Sequence, residues 1–292
     1  MFDLRYHVAS LAAVFLALII GIVVGVGISD RGLVDSTKTK LLEGRVANLQ
    51  QQLNTTAKQT ASQTRETQAE RAFVNETYPV LVHNRLRNKQ VAVLFVGSVD
   101  PGIQSSVNRA LADAGAEQLR VRALKLPLDL KRVNAALASQ PAAAGFTGKN
   151  RLEDLGHMLG EELVSGGDTP LWNSLADALV EYRTGGTKER ADGVVVVRTA
   201  QPQRGATSRF LLGLYTGLTT GGVPAVGAET TDAANSATAI YRRGGLSSVD
   251  DVDRPMGRLA LVLLLAGAPS GQYGVKDSAS NGAMPAWPTP GG

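Results

Sequence analysis

Residues 8–28, VASLAAVFLALIIGIVVGVGI, contain no charged side chain and are rich in Leu, Ile, Val and Ala. At about 1.5 Å per residue this run reaches roughly 30 Å, the hydrocarbon thickness of a bilayer. A chain carrying it either crosses a membrane there or gives the segment up as a secretory signal. The apolar part of a signal peptide usually runs only about 7–15 residues before a small-residue cleavage site. This run is longer, so the sequence predicts an uncleaved anchor over 8–28 behind a short head, residues 1–7. Gly21 and Gly25 stand four apart, a spacing that lets two such helices approach closely and that also arises by chance in a glycine-rich anchor.

Across the 292 residues 43% are hydrophobic and 19% charged, ordinary for a folded protein, and the chain is long enough for one or two domains after the anchor. The net charge of +4 is spread along the chain with no dense basic block. Nucleic acid is therefore not an expected partner. The absence of cysteine removes disulfides, thiolate metal ligands and thiol nucleophiles together. Counting Lys and Arg on either side of the anchor (Arg5 before; Arg31, Lys38, Lys40 and Arg45 after) would leave the large C-terminal part in the cytoplasm. Long domains translocate largely regardless of such charges, so the count does not fix the side.

Past a short polar break at Ser29, Asp30 and Gly32, the residues Leu42, Val46, Leu49 and Leu53 alternate steps of four and three, the a/d spacing of a coiled-coil seam. Continuing the register gives Thr56, Thr60, Gln63, Thr67 and Glu70, and the apolar stripe fades. Residues 37–78 read as a short coiled coil running into a polar helical stalk, either pairing chains or receiving a partner helix; the alternative is a solvated spacer. Pro79 marks a boundary. Beyond it VAVLFV (91–96) and the ADGVVVVR run (191–198) read as strands buried on both faces, because continuous branched apolar runs of that length suit a parallel sheet. Further strands are expected near 119–126, 223–228 and 246–249. Helices are expected at 103–114, 129–139, 152–163, 171–179, 207–218, 236–243 and from Pro255 through LALVLLL, which is too short to span a bilayer. Alternation of this kind predicts one mainly parallel α/β domain over 88–267. The Gly- and Pro-rich residues 269–292 are expected to be disordered.

Chemistry is harder to find. The residues after VAVLFV, Gly97-Ser98-Val99-Asp100-Pro101-Gly102, do not fit G-x-G-x-x-G, and Gly148-Lys149 lacks the rest of a P-loop. There is no G-x-S-x-G elbow, and the three histidines, His7, His83 and His157, lie in the head, the linker and a helix. No convergent nucleophile or acid–base set is visible, and a non-enzymatic role is expected. Asp250, Asp251 and Asp253 precede the Pro255 helix, where carboxylates cap free amides; capping is favoured over a hard-cation site. Cu(I) paths gather soft sulfur ligands, whereas Met1, Met158, Met256 and Met284 are scattered. His157-Met158 is a weak metal candidate, since helical neighbours do not converge on one ion.

The opening, MFDLRYHVASLAAVFLALIIGIVVGVGISDRGLV, closely resembles the N-terminus of the actinobacterial MctB family, known as copper-transport outer membrane proteins. Later matches are Val249-Asp250-Asp251-Val252-Asp253, Gly257-Arg258-Leu259-Ala260-Leu261-Val262 and Gly271-Gln272-Tyr273-Gly274, where the family tends to have His at Gln272. The resemblance implies copper efflux or copper homeostasis in a cell envelope, copper as the ion handled, and a C-terminal domain outside the cytoplasmic membrane. It also extends to SteB-like cell-separation proteins, in which an anchor, a periplasmic coiled coil and a globular domain work with a cytoplasmic-side partner and a cell-wall hydrolase. The outer-membrane part of the family name sits badly with the residues: a spanning barrel needs strands of about 9–11 residues that alternate apolar and polar faces. The expected architecture is thus α/β, with an N-terminal transmembrane helix, a helical coiled-coil stalk and a mainly parallel-sheet domain. The lipid membrane is its first partner, a homo-oligomer its second.

Overall fold

The computed structural model describes residues 4–28, 31–138, 146 and 150–288, with backbone alone for 4–7, 27–28 and 31–39. Ser29, Asp30, Gly148 and Lys149, on which the sequence placed a break and a glycine turn, lie outside the described residues. The chain divides into two units, residues 1–70 and 71–292.

The first unit is entirely helical where described. Helix α1 spans Leu4–Ile28, and within it Val8–Val26 has a mean hydropathy of 2.8. Among the described residues it is the one helix long and apolar enough to cross a membrane. Helix α2 spans Arg31–Val82 and straddles the division between the units. Its predicted seam residues Leu42, Val46, Leu49 and Leu53 are all exposed.

In the second unit α2 continues through Pro79 instead of stopping there, a correction to the expected boundary. Proline removes one amide donor, but Tyr78 and Val82 on either side of it are buried in the core and hold the last turn in place. Strand β1 (Gln90–Val96) follows, then α3 (Pro101–Asp113), β2 (Glu117–Leu124), α4 (Leu130–Ala138), α5 (Arg151–Ser165), α6 (Pro170–Ser174) and α7 (Ala176–Leu179). Next come β3 (Val180–Gly185), β4 (Gly193–Arg198), α8 (Gly205–Thr220), β5 (Ala225–Ala228), α9 (Thr238–Arg243), β6 (Ser247–Val249), α10 (Pro255–Leu265) and β7 (Gln272–Tyr273). The seven strands form an open sheet in the order β3-β2-β1-β4-β5-β6-β7. All neighbours are parallel except β2 and β3.

The sheet separates two cores, and the strand alternation shows how. Ala92, Leu94 and Val96 of β1 face a layer that includes α5, α8 and α9, while Val91, Val93 and Phe95 face the end of α2, α3 and α10. Residues 257–265 of α10 are all buried, which places LALVLLL in the core; each fully buried Leu there contributes about 1.5–3 kcal/mol. On the other face α5 and α8 pack at glycine: a Cβ on Gly156 or Gly160 would meet the α8 backbone, and one on Gly213 or Gly217 the α5 backbone.

Two expectations need correction. The helix predicted over 171–179 breaks into α6 and α7 and leads into β3, an antiparallel edge strand whose Glu181 to Gly185 side is exposed and so carries no apolar pattern. The tail expected to be disordered is ordered through its first part: β7 pairs with β6, Tyr273 is buried, and Gln272 donates Nε2–H to Leu246 O at 3.1 Å while its Oε1 accepts from Ser248 Oγ. The fold therefore extends past residue 267.

Candidate functional site

In an open parallel sheet, ligands bind where neighbouring strands send their connections to opposite sides, outside the carboxyl ends. Here that place is between β1, whose chain turns away through α3 to β2, and β4, whose chain moves on to β5. A cleft of about 510 Å³ lies there, lined by Asp100, Ser106, Arg198, Thr199, Glu229, Thr231 and Asp253 among others. Most of these residues stand just after a strand or open a helix.

The floor is built from short turns. Gly97 ends β1 with φ +118°, and a Cβ there would sit 2.6 Å from Ala200 N and from Thr199 Oγ1, so the two strand ends approach closely enough to admit glycine alone. Thr199 Oγ1 donates to Ser98 O at 2.6 Å, and Ala200 N to Val96 O at 3.0 Å. Asp100 caps α3, its Oδ1 accepting from Gly102 N at 2.8 Å and Ile103 N at 3.1 Å, with Pro101 at the first helical position. Arg198 closes one side: its backbone N–H donates to Tyr241 Oη at 3.0 Å, and its Nη2 donates to Asn235 O.

The acidic wall is largely occupied by protein donors. Glu229, directly after β5, is buried; its Oε1 accepts from Ala237 N and its Oε2 lies 3.5 Å from Lys276 Nζ. Lys276 also donates from Nζ to Thr230 O at 2.6 Å. Asp253 accepts from Thr231 N at 2.7 Å and from Thr231 Oγ1 at 2.6 Å. Burial pushes the Asp253 carboxyl up, but these two hydrogen bonds and the adjacent Arg254 charge outweigh it and hold it below the usual carboxylate range.

The three aspartates of the sequence motif do not act as the sequence suggested. The residue capping α10 is Arg254, with no side-chain hydrogen bond to the helix. Asp250 instead receives Val275 N at 2.8 Å and Lys276 N at 3.2 Å, clamping the loop after β7 onto the end of β6. Gly274, φ +138°, leaves the space its carboxylate fills. Asp251 is buried, and among the described residues neither of its carboxylate oxygens has a hydrogen-bond partner. Burial, then the charges of Asp250 and Asp253, push it up to about 6. Gly257 lies against it, so the Val249 to Asp253, Gly257-Arg258 and Gln272 to Gly274 motifs form one packed corner at the carboxyl edge of the sheet. Arg258 completes it, with Nη1 donating to Asp253 O at 3.0 Å and the guanidinium 5.3 Å from the Tyr78 ring centre.

The remaining candidates are dispersed. His157 Nδ1 is 3.3 Å from Thr216 Oγ1 and its Nε2 3.4 Å from Glu161 Oε1, while Met158 is exposed at the next position. His83 Nε2 is 2.8 Å from Asn84 Nδ2 in the segment after α2. Among the described residues no three His, Asp or Glu side chains converge to hold a metal ion. Gly21 and Gly25 have nothing within 4 Å of where a Cβ would stand. Sequence reasoning missed Arg198, Glu229, Thr231 and Lys276; the usable signal was position, because Arg198 ends the VVVVR strand and Glu229 immediately follows the strand 225–228.

Comparison with known proteins gives one clear result. A family model described as "Copper transport outer membrane protein, MctB" matches residues 1–284. No curated protein matches the chain.

Proposed function

The chain belongs to the MctB copper-transport family, and from that premise we propose that it serves copper homeostasis at the cell envelope as a single-pass, membrane-anchored protein whose α/β unit lies on the extracytoplasmic side. The observation that carries the reading is the family match over residues 1–284, which takes in both the apolar helix and the whole sheet. Copper here is cargo. The sheet is open, with β3 and β7 as its edges and helices on both faces. A lipid-embedded barrel must close its edges and turn an apolar face outward, so this domain does not itself form a barrel pore, and copper movement across the envelope would need an assembly or a partner. The proposed role is non-enzymatic; in the cleft Glu229 is engaged by Ala237 N and the Lys276 ammonium, and Asp253 by Thr231.

A second reading, a scaffold or regulator of cell-wall hydrolysis, draws on the exposed seam of Leu42, Val46, Leu49 and Leu53, which suits a homo-oligomer or a helical partner. Deletion of the gene separates the two. The copper reading expects raised intracellular copper and lost copper tolerance with normally separating cells; unchanged copper with chained, unseparated cells would replace it with the second.

A further inference from the structure

On the far edge of the sheet, β2 carries Arg120 and Arg122 on one face, and β3 lies antiparallel beside it with Arg183 directly opposite Arg122 and Gly185 opposite Arg120. Like charges facing each other across an antiparallel pair destabilise it. Arg120 and Arg122 are also buried, at 1% and 5% exposure. Buried charges are normally paired. Arg120 donates to the carbonyls of Leu163 and Glu189. Arg122 donates from Nη1 to Val121 O at 2.8 Å and Thr184 O at 2.7 Å, and its Nε and Nη2 make no hydrogen bond among the described residues. Among the described residues none of the three makes an ion pair.

Two of the nearby acids are committed elsewhere. Glu162 accepts from Leu171 N and Trp172 N, and Glu181 from Ser98 Oγ. Glu189 lies close enough to favour the Arg120 charge but forms no contact pair with it. Burial, then Arg120 and Arg183, lower the Arg122 guanidinium to about 10, which leaves it cationic at neutral pH. Arg122 and Arg183 border a cavity of about 440 Å³ that Trp172, Asn173, Val180 and Thr187 also line. Gly185, with φ +76°, keeps the strand turn free of a side chain.

We propose that this cavity binds a phosphate ester, with Arg122 and Arg183 holding the phosphate and the wall of Trp172, Val180 and Asn173 receiving the esterified body. A phosphate monoester carries a charge of about −1.5 to −2 at pH 7 and several strong acceptor oxygens, which answers two facing guanidiniums better than a carboxylate does. The volume exceeds what inorganic phosphate alone would fill. The phosphate has two sources in an envelope: a soluble sugar phosphate, which is a monoester, or a phospholipid headgroup, a diester of lower charge that still presents two free anionic acceptor oxygens to the guanidinium pair.

The test uses the full chain in detergent micelles with Trp287→Phe, which leaves Trp172 as the sole tryptophan reporter. Titration with glucose 6-phosphate should change its fluorescence saturably with a Kd below about 1 mM, and glucose should give no change. Arg183→Gln, at an exposed position, should weaken binding about tenfold or more while the melting temperature holds, and Arg183→Lys should restore part of it. Competition by dihexanoylphosphatidylglycerol would assign the site to a lipid headgroup; its failure to compete, with glucose 6-phosphate still saturating, would assign it to a soluble ester. No saturable response to either compound up to roughly 10 mM, an equal response to glucose, or full affinity in Arg183→Gln would overturn the proposal.

Discussion

The same spacing of glycines appears in two places and does different things. Gly21 and Gly25 in α1 are four apart, and a Cβ on either would meet nothing within 4 Å. Gly156 and Gly160 in α5, with Gly213 and Gly217 in α8, are also four apart, and there a Cβ would run into the facing helix backbone. In the α/β unit the missing side chains are filled by a partner helix of the same chain; in the apolar helix the groove stays open. The spacing alone therefore does not identify a contact. What distinguishes the two cases is whether a second helix is bound to the same core.

Gly213→Leu should break the filled case outright. A side chain there meets Glu153 main chain, which has no rotamer to give, so the cost should reach about 3 kcal/mol or more and appear as a lower unfolding midpoint of the full chain in detergent.

A smaller effect should come from Asp251→Asn. The Asp251 carboxyl titrates near 6 in the folded chain, above the usual 3.8. The folded state thus binds the proton more tightly than the unfolded state, and stability falls as pH rises from about 4 through about 6. Asp251→Asn should remove that slope and raise stability at pH 7.5 by about 1–2 kcal/mol, read by denaturant unfolding at several pH values. An unchanged slope would place the titration elsewhere.

Thr231→Val should cost less, about 1 kcal/mol, because it removes one hydrogen bond to Asp253 but leaves the Thr231 N–H bond in place. Asp253 is held below its ordinary range, so its contribution is present above pH 4 and lost as pH falls further; Thr231→Val should shrink that acid-side loss. The smallest effect belongs to the open case. Gly21→Leu should shift the unfolding of the α/β unit by less than about 0.5 kcal/mol, and a larger shift would show that the apolar helix is part of that folding unit.

The parts of the fold that were legible in the sequence are those buried on both sides. VAVLFV and VVVV could be read as strands because each of their residues meets a core, and LALVLLL as a core helix for the same reason. β3 was illegible because an exposed edge strand, VEYRTG, needs no apolar pattern. β7 was hidden in a Gly- and Pro-rich tail, since its two residues are held by the Asp250 backbone N–H, the Ser248 hydroxyl and the Asn281 side chain rather than by their own propensity. The site was partly legible. The Asp250, Asp251 and Asp253 motif stands at the carboxyl edge as a cluster, but the Asp250 and Asp253 carboxylates bind loops that only the folded chain brings near. Glu229 and Arg198 carry no local signature and gain meaning from the strand ends that precede them.

In the proposed arrangement an uncleaved apolar helix holds the open-sheet unit outside the cytoplasmic membrane. The chain has no cysteine, so one introduced at the exposed Asn108 is a unique reporter. In intact spheroplasts a membrane-impermeant maleimide should label Asn108→Cys fully, and the labelled protein should remain in the membrane pellet with residues 8–28 still attached. Labelling only after lysis, or a labelled product recovered in the soluble fraction without those residues, would contradict it.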